Sequence, residues 1–106
     1  MQRIIAREDF VPCIGCVGEN LATCVVVPFS PEFSDSTIQL FYTLPNSSEP
    51  HEADRIKTVD NSVYWFITSA VTAKAGRVMY QLHFTCGNAV SKSPVYEAVV
   101  LRSINE

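Results

Sequence analysis

The chain has 106 residues, 47% of them hydrophobic and 18% charged, with a formal net charge of −3. That balance excludes a disordered chain and predicts one domain with a core of its own. The eight Lys and Arg are scattered singly, which is not the basic stripe nucleic acid demands, and no apolar run has the length of a membrane-spanning helix.

Near the N-terminus, Arg3, Arg7, Glu8 and Asp9 interrupt the only apolar pair, Ile4-Ile5, a pattern unlike a secretory signal. The expectation is therefore a chain made and used without export, in a reducing cytoplasm. Residues 2–10 read as a first strand. Residues 12–18, Pro-Cys-Ile-Gly-Cys-Val-Gly, read as a turn. Residues 20–29 form a second strand, whose Val25-Val26-Val27 run puts valine on both faces. After a polar loop at 30–36, residues 37–44 alternate, with Ile38, Leu40, Tyr42 and Leu44 on one side and Phe41 interrupting the other.

Residues 45–54 form the longest polar segment and are expected to be the most exposed loop. A short strand at 55–59 leads through an Asp60-Asn61 turn into Val63-Tyr64-Trp65-Phe66-Ile67-Thr68, a β-branched and aromatic run suited to a buried strand. Residues 69–76 have the length of one helical turn crossing between sheets, with Ser69 at a possible N-cap and Gly76 at a possible C′ position. The next ten residues alternate strictly: Val78, Tyr80, Leu82, Phe84 and Cys86 share one face, opposite Arg77, Met79, Gln81, His83 and Thr85. After a Gly87-Asn88 turn, Pro94 splits the last segment, and Tyr96 to Leu101 is its pairing portion. About seven strands with no helix-period segment predict a two-sheet antiparallel sandwich occupying the whole chain, residues 1–106.

Few motifs carry chemistry. Cys13-Ile14-Gly15-Cys16 has the spacing of a zinc half-site, but no second pair completes it, and no helix follows to activate a thiolate. Cys24 and Cys86 fall in strand-like runs and read as buried thiols. Their separation invites comparison with an immunoglobulin disulfide, yet the single tryptophan, Trp65, lies on a later strand than that fold requires, and Phe84 stands where its tyrosine would be. His51-Glu52 has no second histidine one helical turn on, so it does not start a zinc-protease motif. The expectation is no catalytic residue, no metal, no cofactor, and no nucleic-acid, membrane or small-molecule partner. What remains is an apolar surplus. Several strands carry large apolar residues on both faces, whereas each sheet of a sandwich buries one. Tyr64, Phe66, Val25, Val27, Tyr96 and Leu101 are accordingly the candidate interface residues.

Three groups of residues carry a family resemblance. Val17-Gly18-Glu19-Asn20-Leu21-Ala22 entering a strand is one. Another is Tyr64 through Ala70 leading to Thr72-Ala73-Lys74-Ala75-Gly76-Arg77. The third is Gln81-Leu82 with Lys92-Ser93, Tyr96 and Val99. Together they resemble small phage and prophage proteins of Gram-positive gut bacteria, similar to the immunoglobulin-like N-terminal domain of baseplate upper proteins or head fibres. The resemblance covers residues 17–103. It implies a non-enzymatic virion structural or adaptor module of the baseplate, head-fibre or capsid-decoration type. Such a module would contact capsid or baseplate proteins, or copies of itself as a homo-oligomer. A phage-encoded inhibitor of a host defence protein, acting through a sheet edge or the 45–54 loop, is the alternative.

Overall fold

In a computed structural model, which describes residues 1–104, the chain is a two-sheet β-sandwich. Its ten strands are β1 (Gln2–Ile5), β2 (Cys13–Cys16), β3 (Thr23–Pro28), β4 (Thr37–Thr43), β5 (Pro50–Glu52), β6 (Ile56–Val59), β7 (Ser62–Phe66), β8 (Gly76–Cys86), β9 (Ala89–Lys92) and β10 (Tyr96–Leu101). One sheet runs β1-β3-β7-β6. The other runs β2-β10-β8-β4-β5, with β9 paired to the far end of β8.

The sandwich matches expectation, while the strand count and the purely antiparallel pairing do not. β1 lies parallel to β3, and β2 parallel to β10. Both exceptions come from the N-terminal segment. The first strand stops at Ile5, and the expected turn at 12–18 is in fact β2, so one apparent strand and turn serve both sheets. Gly15 is the reason the glycine-rich stretch can pair. At φ 137° it lets β2 bulge where the register with β10 shifts between Val99 and Val100, and Ile14 is thereby turned into the core.

Facing follows the period-two pattern where a strand has one wet side. Val78, Tyr80, Leu82 and Phe84 of β8 are buried, and Met79 opposite them is 43% exposed. Cys86, expected to be a buried thiol on this face, is exposed at the strand end. On β7, Val63 and Trp65 point inward and Ile67 continues their face, while Tyr64 and Phe66 point outward. Trp65 projects from the four-stranded sheet between Tyr42 and Tyr80 of the other, with ring centroids 5.5 and 5.2 Å away. Tyr80 stacks in turn on Tyr96. Phe33, just after Pro31 in a 3₁₀ turn, stacks on Phe84 at 4.3 Å and closes one end of the core. Each such ring contributes roughly 1.5–3 kcal/mol by leaving water.

Turn chemistry fixes the hairpins. Asp60 and Asn61 both have positive φ, as the two-residue type I′ turn between β6 and β7 requires. Residues 69–75 cross from β7 in one sheet to β8 in the other without forming a helix; the Thr68 carbonyl accepts the Val71 N–H at 3.0 Å and the Thr72 N–H at 3.3 Å, which marks the expected turn. Gly76 is the first residue of β8 rather than a helix cap. A Cβ there would lie 2.8 Å from the Pro45 ring, so only glycine lets the strand start beside that proline. Pro94 does split the last segment: β9 and β10 share one side of β8, and Ser93 bridges them through backbone and hydroxyl bonds to Leu82. The 45–54 segment is also structured at its end, where β5 pairs with β4 at the sheet edge.

Candidate functional site

The six candidate interface residues divide between the core and two opposite surfaces. Val25 and Val27 are 0% exposed, paired across β7 with Trp65 and Val63, and serve the core. Tyr96 is also buried, stacked on Tyr80. These three are therefore unavailable to a partner. The valine run misled because Val26, not its neighbours, is the outward member. β10, the pairing portion of the last segment, is flanked by β2 and β8 on its two edges, so neither edge is open to another chain. Leu101 is 49% exposed at the end of β10 in the six-stranded sheet, away from the remaining pair.

Tyr64 and Phe66 stand on the outer face of the four-stranded sheet, both half-buried. Register supplies their neighbours. Ile5, Val26, Tyr64 and Lys57 form one row across β1, β3, β7 and β6, and Arg3, Cys24 and Phe66 form the next. The Arg3 guanidinium lies over the Tyr64 ring, 5.7 Å from its centroid. Ile5 is 60% exposed at the end of its row. Cys24 sits on this face but is covered, and burial pushes its thiol up, with Arg3 opposing. Alternation assigns Arg55, which precedes β6, to the same face, and its carbonyl accepts the Phe66 N–H at 2.9 Å. Arg3 thus covers one of the two aromatic rings, Lys57 stands level with Tyr64 in register, and no carboxylate stands in these rows. Sequence reasoning missed Arg3, Ile5, Val26 and Lys57. The alternation of 3 and 5 against Ile4 was legible, but which strand lay beside β7 was not.

The outer face of the six-stranded sheet differs in chemistry. Phe41, Met79 and Val95 line a shallow groove of about 540 Å³ together with Gln81, His83 and Lys92. Arg77 and Glu97 form an ion pair, and Gln39 donates to the Glu52 carboxylate at 3.2 Å, so this face carries charges of both signs. His83 packs against Phe41 with centroids 4.6 Å apart, and its Nε2 lies 3.2 Å from Gln81 Oε1. Desolvation, then the nearby Lys92 charge, lowers its pKa.

The Cys13-x-x-Cys16 thiols are free on β2. Cys13 is exposed and Cys16 partly covered, with burial followed by the Glu19 carboxylate pushing the Cys16 thiol up, away from nucleophilic character. Glu19 also accepts the Cys16 N–H at 2.7 Å, so its carboxylate is committed to holding the bulge. His51 stacks on Tyr42. Among the described residues, no three His, Cys, Asp or Glu side chains come together as a metal site. No known family model matches the chain, and no curated protein matches it.

Proposed function

We propose that the chain is a non-enzymatic structural or adaptor module of a bacteriophage virion, working by protein–protein contact through the outer face of its four-stranded sheet. The observation that carries the contact surface is the Ile5, Val26, Tyr64 and Phe66 cluster, apolar and aromatic, with Ile5 exposed, the other three half-buried and Arg3 over the Tyr64 ring. Aromatic and Arg side chains are the groups that dominate protein interfaces. The virion assignment rests on the resemblance of residues 17–103 to baseplate and head-fibre modules. The immunoglobulin-like fold that this resemblance implies is compatible with the strand order, in which β3-β7-β6 faces β10-β8-β4-β5 as strands B-E-D face G-F-C-C′ in a variable-type sandwich; that order bears on the fold and not on the virion role. Trp65 falls on the E-equivalent strand rather than C, so the core is filled differently from an antibody domain.

The test uses the immobilised chain and disrupted phage particles from Gram-positive gut bacterial hosts. Retention of a capsid or baseplate component, lost on Tyr64→Glu with the circular dichroism spectrum unchanged, is the expected result. Retention of a host protein in its place would replace the structural role with that of an inhibitor. Retention that survives Tyr64→Glu would remove the assigned face.

A further inference from the structure

The four-stranded sheet ends on β1, and among the described residues no strand pairs with the far side of β1. Backbone parity identifies which groups are free there. The Gln2 N–H donates to the Ala22 carbonyl at 3.0 Å and the Ala6 N–H to the Val26 carbonyl at 2.8 Å. In a parallel ladder one residue presents both its main-chain groups to the same neighbour, so the even positions face β3. Arg3 and Ile5 therefore direct their N–H and C=O groups away from the sheet. Those groups open on a cleft of about 660 Å³ between β1 and the start of β2, lined by Gln2, Arg3, Ile5, Arg7 and Phe10 among others.

We propose that this edge is a strand-addition site, and that its occupant is an extended segment of a partner protein carrying a carboxylate followed by two apolar residues. The inference rests on the contact reading above and names the chemistry of the partner. An unpaired edge is a template for another strand, and natural sheets block such edges with proline, bulges or covering segments. Gln2–Ile5 has no proline and no bulge; it is a strand of four residues whose one charged side chain, Arg3, guards the edge against a basic or apolar strand and not against an acidic one. Charge selects the occupant. The ion pairs among the described residues are Arg7–Asp9 and Arg77–Glu97, which leaves Arg3 with the Tyr64 ring and no carboxylate. A strand added beside β1 places successive side chains next to Arg3, Ile4 and Ile5. The residue beside Arg3 shares the outer face with the guanidinium and is matched by Asp or Glu. The residue beside Ile4 points inward, toward the exposed Phe10 ring at the cleft. The residue beside Ile5 covers the most exposed apolar side chain of the strand. The site is continuous with Tyr64, because Arg3 spans the two.

The probe is a capped hexapeptide, Thr-Val-Glu-Val-Val-Thr, added to the full chain at millimolar concentration while amide hydrogen exchange is followed by NMR. The expected result is that the Arg3 and Ile5 amides slow by about tenfold or more while Gln2 and Ile4 are unchanged. Ile5→Pro deletes an outward donor and no bond to β3, and should abolish the protection. Arg3→Glu should abolish it too, and should favour the same peptide with Lys in place of Glu, which gives a second variant that does not depend on proline being tolerated. Absence of protection at Arg3 and Ile5, equal binding of the Lys peptide to the unaltered chain, or protection confined to the Phe41–His83 groove would overturn the proposal. So would the same amides being protected by oligo-dT, or by raising protein concentration without peptide, outcomes that assign the edge to nucleic acid or to a second copy. If Ile5→Pro keeps virion-component retention that Tyr64→Glu loses, the contact reading stands and the strand-addition site falls.

Discussion

Phe84 and Met79 lie on one strand and differ in everything the sandwich does with them. Phe84 is 3% exposed and touches Phe29 and Phe33, whereas Met79 stands on the wet face. Phe84→Ala should therefore lose about 3–5 kcal/mol in chemical denaturation, and Met79→Ala no more than about 1 kcal/mol. Equal shifts in midpoint would refute the facing. His83 offers a test by pH. The fold lowers its pKa, so the unfolded chain takes up the proton first. Its contribution is intact above the ordinary value of about 6.5 and is lost as pH falls through that value toward the lowered one. The groups facing the ring are Phe41, Gln81 and Lys92, with Gln39 opposite in register. The melting temperature should fall between neutral and mildly acidic pH, less steeply in His83→Gln; identical slopes would remove the assignment.

β2 is the element whose identity changes most between sequence and structure. Two cysteines, a glycine and a preceding proline read as a turn, yet the strand places Ile14 in the core at 1% exposure and binds β10 in parallel. A turn residue replaced by alanine changes stability little, while a buried isoleucine costs about 2–5 kcal/mol. Ile14→Ala measured by urea denaturation separates the two, and the larger loss is expected. The same logic governs β10. With β2 and β8 on its two edges it cannot recruit another strand; the edge of its sheet is β2, and the edge of the other sheet is β1.

At the scale of the molecule, one core serves both sheets. Trp65 reaches from the smaller sheet into a ring of Tyr42 and Tyr80 from the larger, so neither sheet retains a packed interior without the other. Unfolding should be a single transition. Trp65 fluorescence and far-ultraviolet circular dichroism should give the same denaturation midpoint, and separated midpoints would show that one sheet outlasts the other. The two outer faces, by contrast, are chemically distinct. The larger sheet carries the Arg77–Glu97 ion pair and a groove, whereas the smaller carries aromatic rings among cations with no carboxylate in the same rows. In a chain of net charge −3 this asymmetry gives the molecule one side suited to an acidic partner.

Alternation along β8, the aromatic run of β7, the Asp60-Asn61 turn and the break at Pro94 were all legible in the sequence, because each depends on neighbours a few residues away. They determine an all-β sandwich and the inward side of its central strands. Only the tertiary structure decided which side of the Val25-Val26-Val27 run faces water, since a run without alternation carries no period to read. It also decided that residues 2–5 and 13–16 join different sheets, because parallel pairing links segments by distance in space rather than by a turn. The candidate face follows from those two decisions: Arg3 and Ile5 meet Tyr64 and Phe66 only because β3 lies between β1 and β7.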